Sequence, residues 1–134
     1  MTLRLNQSLF DNEWFDEKRL DCVSNTKRVI AALDFYKAHG VLAIIANLQA
    51  EDISYGEGAD EILIECGKDK MSLISAFTAD GSLKISWMSR LESLLLATSQ
   101  RGMVVGLTYF HSAQDEIFNG PEAIVSATNN IVSP

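Results

Sequence analysis

At 134 residues, 47% hydrophobic and 22% charged, the chain fits one globular domain and is too short for two ordinary ones. Only two prolines and two cysteines are present, which excludes a Pro-rich linker and a disulfide scaffold and points to reduced thiols. The net charge of -7 argues against direct binding to nucleic acid or to a membrane surface and favours basic partners.

The charge is uneven. Residues 1–67 carry six basic and twelve acidic side chains, whereas residues 68–134 carry five basic and six acidic. Between Glu51 and Glu65 lie six carboxylates (Glu51, Asp52, Glu57, Asp60, Glu61, Glu65) and no Lys or Arg.

In chain order, residues 2–10 suit a short strand or an irregular arm, through Leu3, Leu5 and Leu9-Phe10. No apolar core of roughly 7–15 residues follows a basic start, so a secretory signal is not expected and a cytoplasmic location is. Asp11 to Asp21 is charged, with Trp14, Phe15 and Leu20 as anchors, and reads as loop or a short helix. Residues 1–22 are accordingly expected as an irregular arm on a single domain spanning 1–134. A helix follows, capped by Ser24 or Asn25, with Val29/Ile30, Leu33 and Tyr36 as its apolar stripe and Gly40 as its end.

Val41 to Ala46 is the longest uninterrupted apolar run and is far shorter than a membrane span. It suits a strand buried on both faces, and also a second buried helix running to Ala50. The acidic stretch 51–60, with Gly56 and Gly58, reads as an exposed loop, and Glu61 to Glu65 alternates as a strand.

Asp80-Gly81 suits a two-residue hairpin turn that pairs Ala79 with Ser82, Thr78 with Leu83, Ala76 with Ile85 and Ile74 with Trp87. Ser89 and Glu92 form a capping box ahead of Leu91, Leu94, Leu95 and Thr98, and Gly102 closes that helix. Met103 to Phe110 is apolar nearly throughout and is expected as a central strand. A short helix around 113–118 precedes Gly120-Pro121, and a final helix runs to about Val132, lined by Ile124, Thr128 and Ile131. This order predicts an α+β fold, with a mostly antiparallel sheet of about four to five strands against about three helices.

Candidate chemistry is sparse. Glu51, Asp52, Glu57 and Asp60 lack the oxygen spacing of a calcium loop. Cys22, His39, Cys66 and His111 are scattered without the close pairs that zinc sites use, so no metal is expected. His111 and Cys66 each follow an expected strand and would make a nucleophilic pair only if the fold brought them together. No Gly-rich phosphate loop, cofactor motif or basic patch is present, so no cofactor and no catalytic residues are expected.

The sequence therefore favours a non-enzymatic acidic module. In this reading Glu51, Asp52, Tyr55, Glu57, Asp60 and Glu61 dock a basic protein, such as a nuclease or another nucleic-acid-binding protein. Inhibitors of the immunity-protein, antitoxin or phage anti-defence type have this character. The alternatives are a small dimeric secretion-type chaperone, which requires a homodimer, and a small-molecule pocket near His111, Cys66 and Trp87.

Overall fold

The computed structural model describes residues 2–5, 12–15, 18–49, 75–110 and 117–132. In chain order its elements are β1 (Thr2–Leu5), β2 (Asn12–Phe15), β3 (Lys18–Asp21), α1 (Cys22–Ala38), β4 (Ala43–Asn47), α2 (Ile85–Ser99), β5 (Val104–Thr108) and α3 (Pro121–Val132). They fall into two compact units, Met1–Asn47 with Ile85–Thr108 and Leu48–Lys84 with Tyr109–Pro134.

The first unit is built on a parallel sheet of order β1-β4-β5. A separate antiparallel hairpin joins β2 and β3, from Asn12 opposite Asp21 to Phe15 opposite Lys18. α1 and α2 touch each other, α1 touches β3, and α2 touches β5.

Both helices end in the same way. Gly40 lies at φ +85° and Gly102 at φ +65°, the left-handed region that glycine enters without a Cβ penalty. After α1, the Val41 N–H donates to the Tyr36 carbonyl at 3.0 Å and the Gly40 N–H to that of Lys37 at 3.0 Å. After α2, Met103 donates to Thr98 at 2.9 Å and Gly102 to Ser99 at 3.1 Å. Each is a Schellman cap, which satisfies carbonyls the helix would leave open. Each also turns the chain straight into a strand, and the two strands run side by side from Ala43 opposite Val104 to Asn47 opposite Thr108.

β4 is the central strand, and its burial alternates, with Ile44 and Ala46 fully covered. The helices bury Leu33 from α1 and Trp87, Leu91, Leu94 and Thr98 from α2. Burying a Leu- or Ile-sized side chain stabilises by about 1.5–3 kcal/mol. The Thr98 hydroxyl, inside this core, donates to the Leu94 carbonyl at 2.9 Å.

In the second unit, Phe77 faces Leu83 and Gln49 faces Ser75 across antiparallel bridges. The buried Gln49 amide donates to Ser75 Oγ at 3.1 Å. Phe77, Phe110 and Phe118 form an aromatic cluster with ring centroids 5.4–5.9 Å apart. α3 starts at Pro121 and buries Ala123 and Ala127, while Ile124, Thr128 and Ile131 are half-buried.

Several expectations are overturned. Among the described residues the main sheet is parallel, not a mostly antiparallel sheet of four to five strands. The antiparallel expectation rested on a hairpin reaching Trp87, yet Ile85 and Trp87 belong to α2. The reason is periodicity: Trp87, Leu91, Leu94 and Thr98 are one helical stripe. This stripe begins upstream of Ser89, so the Ser89/Glu92 pair lies inside the helix and Ser89 C=O accepts from Ser93 Oγ at 3.0 Å.

The turn at Asp80-Gly81 exists with another register. The Gly81 N–H donates to the Thr78 carbonyl at 3.0 Å, and the Thr78 N–H to that of Ser82 at 2.9 Å, so three residues form the loop and Phe77 meets Leu83. α1 begins at Cys22, which places Ser24 and Asn25 in its first turn rather than at its cap. Residues 12–15 and 18–21 are strands, not loop or helix. Among the described residues β5 pairs with β4 alone and β4 is the middle strand, so β5 is not shown as the central strand expected. The strand expected at Glu61 to Glu65, the exposed loop at 51–60 and residues 113–116 of the short helix expected around 113–118 lie outside the described residues.

Candidate functional site

Glu51, Asp52, Tyr55, Glu57, Asp60, Glu61, Cys66 and His111 all lie outside the described residues. Arg101 grips Asp34 with two hydrogen bonds, Nε to Oδ1 at 2.8 Å and one terminal nitrogen to Oδ2 at 3.3 Å. Its other terminal nitrogen donates to the Ala97 carbonyl at 2.8 Å. Lys37 Nζ donates to the Arg101 carbonyl at 2.6 Å. The Arg101 guanidinium holds the Asp34 carboxyl below the ordinary carboxylate range. Arg90 is buried, with its guanidinium 5.7 Å from the centre of the Trp87 ring. Three cations are therefore committed within the first unit, through its own helices.

His39 lies just beyond α1, where its ring is 4.2 Å from that of Phe35 and its Nδ1 is 2.8 Å from the Phe35 carbonyl. That is the environment of a helix-end histidine rather than a metal ligand. Among the described residues no three His, Cys, Asp or Glu side chains are placed to hold a metal ion.

Two places in the described structure combine polar groups with access. The first is an open depression of about 540 Å³ in the second unit, lined by Asp80, Asn119, Gly120, Glu122 and Ser126 among others. Its Asp80 carboxylate is already occupied, because Oδ1 accepts the Thr78 hydroxyl at 2.6 Å and the Ser82 N–H at 2.9 Å. These bonds pull its pKa down from 3.8 to about 2. Asp80 and Glu122 repel an anion, and the positive end of α3 disfavours a cation, so the depression suits neither.

The second place is the carboxyl end of the parallel sheet. Asn47 and Thr108 end adjacent strands, and the Thr108 hydroxyl donates to the Asn47 side-chain oxygen. Open parallel sheets characteristically take ligands beyond the carboxyl ends of their strands. Sequence reasoning missed this pair, because nothing in either residue's own neighbourhood marks it. The repeated helix–glycine–strand pattern at Gly40 and Gly102 marks where the two strands begin but not that they are neighbours.

Comparison with known proteins gives no match: no family model, no curated protein and no solved structure is similar to the chain at a significant level. Among the described residues no helix is long and apolar enough to cross a membrane.

Proposed function

We propose that this protein is a non-enzymatic acidic binding module that docks a basic protein through residues 51–65, in the manner of an immunity-protein, antitoxin or anti-defence inhibitor. The observation that carries the reading is the run of six carboxylates without a single Lys or Arg in that segment. Such a field speeds encounter with a cationic surface and selects against acidic ones. The committed cations support it, since Arg101, Lys37 and Arg90 are engaged with Asp34, the Arg101 carbonyl and Trp87. Tyr55 supplies an anchor of the kind interfaces favour.

The test is capture from the native source with tagged protein, beside a variant carrying Glu57→Lys, Asp60→Lys and Glu61→Lys. A single basic protein, identified by mass spectrometry and lost both in high salt and with the variant, supports the proposal. Equal capture by both proteins removes the acidic segment as the docking face.

One observation favours a second reading. The Asn47–Thr108 pair at the carboxyl ends of β4 and β5 fits a small polar ligand. Ligand-induced stabilisation that disappears in Asn47→Ala would support it over the first.

A further inference from the structure

We propose that Asn119-Gly120 is a site of spontaneous covalent modification, where the Gly120 backbone nitrogen closes on the Asn119 side-chain amide and the asparagine becomes aspartyl and isoaspartyl forms. The inference uses neither the acidic segment nor the Asn47–Thr108 pair and stands apart from both.

The sequence singles out this position. Every other asparagine precedes a residue with a side chain: Gln7, Glu13, Thr26, Leu48, Asn130 or Ile131. A Cβ there crowds the approach of the backbone nitrogen to the neighbouring carboxamide, and Gly120 has none. The fold also asks for glycine, since Gly120 lies at φ +145°, where other residues are strained.

Both reacting groups are unengaged. Asn119 is exposed, on the open depression at the start of α3, where water reaches it. Among the described residues no hydrogen bond holds its carboxamide, which is free to rotate towards its own main chain. The Asn119 N–H donates to the Ala79 carbonyl at 2.9 Å, and the Gly120 carbonyl accepts from the Ala123 N–H at 3.1 Å. Between these two bonds, among the described residues, the Gly120 N–H donates to no acceptor. An N–H already donating would have to give up its bond before it could lose its proton.

The other asparagines with described side chains lack this combination. The Asn47 side-chain oxygen accepts the Thr108 hydroxyl, and Leu48 follows it. Asn130 donates to the Gly81 carbonyl at 3.0 Å, and both Asn129 and Asn130 lie in α3, where the next N–H is bonded within the helix.

The reaction balances with water alone. Hydroxide takes the proton from the Gly120 N–H, and the nitrogen adds to Asn119 Cγ. The N–Cγ bond forms, the Cγ–Nδ2 bond breaks, and ammonia leaves with a proton from the solvent, which closes a cyclic imide. Water then opens the ring. Cleavage of the new N–Cγ bond leaves an aspartyl residue. Cleavage between that nitrogen and the Asn119 carbonyl carbon leaves an isoaspartyl residue, with the main chain rerouted through Cβ and Cγ. Water is consumed, ammonia is released, and nothing is oxidised or reduced.

Either product adds a negative charge to the -7 of the chain. The isoaspartyl form also inserts a methylene between two anchored groups, the Asn119 N–H on Ala79 and the Gly120 carbonyl on Ala123. Age would therefore be recorded at the point where the 78–82 loop and the start of α3 are tied together.

The experiment is incubation of the whole folded chain for days to weeks at neutral and mildly alkaline pH. Asn119→Gln, which keeps the amide but lengthens the arm that must close, is incubated beside it, as is wild type held unfolded in guanidinium chloride. Ion exchange follows the acidic species, peptide mapping in acid locates it, and enzymatic methyl transfer to isoaspartyl groups identifies the rerouted product. Far-ultraviolet spectra confirm that Asn119→Gln is folded. The expected result is first-order growth of an acidic species in the folded wild type, faster as hydroxide rises. It should map to position 119 ahead of every other asparagine and be lost in Asn119→Gln. A folded wild type that stays intact at 119 overturns the proposal, and the unfolded sample then shows whether the fold protects the site. So does a folded protein that reacts first at another asparagine, or an acidic species that grows at the wild-type rate in Asn119→Gln.

Discussion

Gly81→Ala is expected to be the most damaging single methyl addition in the described structure. Gly81 sits at the tip of the Thr78–Ser82 loop with φ +86°, and an added Cβ would lie 2.2 Å from the Ala123 carbonyl oxygen, 2.8 Å from the Ala127 nitrogen and 3.1 Å from Ser126 Cβ. Two of those three atoms are backbone of α3, so no side-chain rotation relieves the contact. The tip is also fastened there, since Asn130 Nδ2 donates to the Gly81 carbonyl at 3.0 Å. Holding alanine at positive φ costs about 1 kcal/mol. Forcing a methyl into filled space adds typically about 1–3 kcal/mol. The sum is a loss of about 2–4 kcal/mol.

Gly40→Ala and Gly102→Ala are the matched controls. Both glycines have positive φ, but a Cβ on either meets nothing within 4 Å. They should lose only the conformational part, about 1 kcal/mol each. Urea unfolding of the four proteins, with the slope m shared, reads the difference as a shift in midpoint. If Gly81→Ala costs no more than Gly40→Ala, the close approach of the loop to α3 is wrong.

Two further outcomes follow from the described geometry. The hairpin expectation put Ile85 and Trp87 on one buried face, whereas α2 leaves Ile85 86% exposed and Trp87 at 0%. Trp87→Ala should therefore cost about 3–5 kcal/mol, and Ile85→Ala less than about 0.5 kcal/mol, by urea unfolding of dilute protein; equal costs would restore the strand. Asp80 has its folded pKa depressed to about 2, through its bonds from Thr78 and Ser82, so its contribution to stability is present above the unfolded carboxylate pKa. The stability gap between wild type and Asp80→Ala should stay constant at neutral pH and shrink as pH falls from about 4 towards 2, and a gap that widens with acid would contradict the turn geometry.

The legible parts of the fold were those with local causes. Gly40 and Gly102 end helices because the residue after the last turn must enter the left-handed region, a need written into the sequence at that point. Pro121 opens α3 for an equally local reason, and the apolar run after Gly40 supplies all of β4 but Asn47. Strand pairing was not legible, because β4 and β5 meet across a long separation and neither carries a mark of its partner. Ile85-Ser86-Trp87 misled because three residues satisfy both a period of two and the start of a helical stripe. For the proposed docking segment, the sequence supplies charge and composition alone, since Glu51 to Glu65 lies outside the described residues.

The chain passes from one compact unit to the other at residues 47/48, 84/85 and 108/109, so neither unit is a continuous stretch of sequence. This has a consequence for biosynthesis. When Asn47 leaves the ribosome, its neighbour Thr108 lies 61 residues further on. At about 5–20 residues per second that is a wait of roughly 3–12 s, during which β4 is synthesised but has no β5 to pair with. For that interval β4 has β1 as a neighbour but its other edge is open, and the first unit can close only after Leu48–Lys84 of the second has been made.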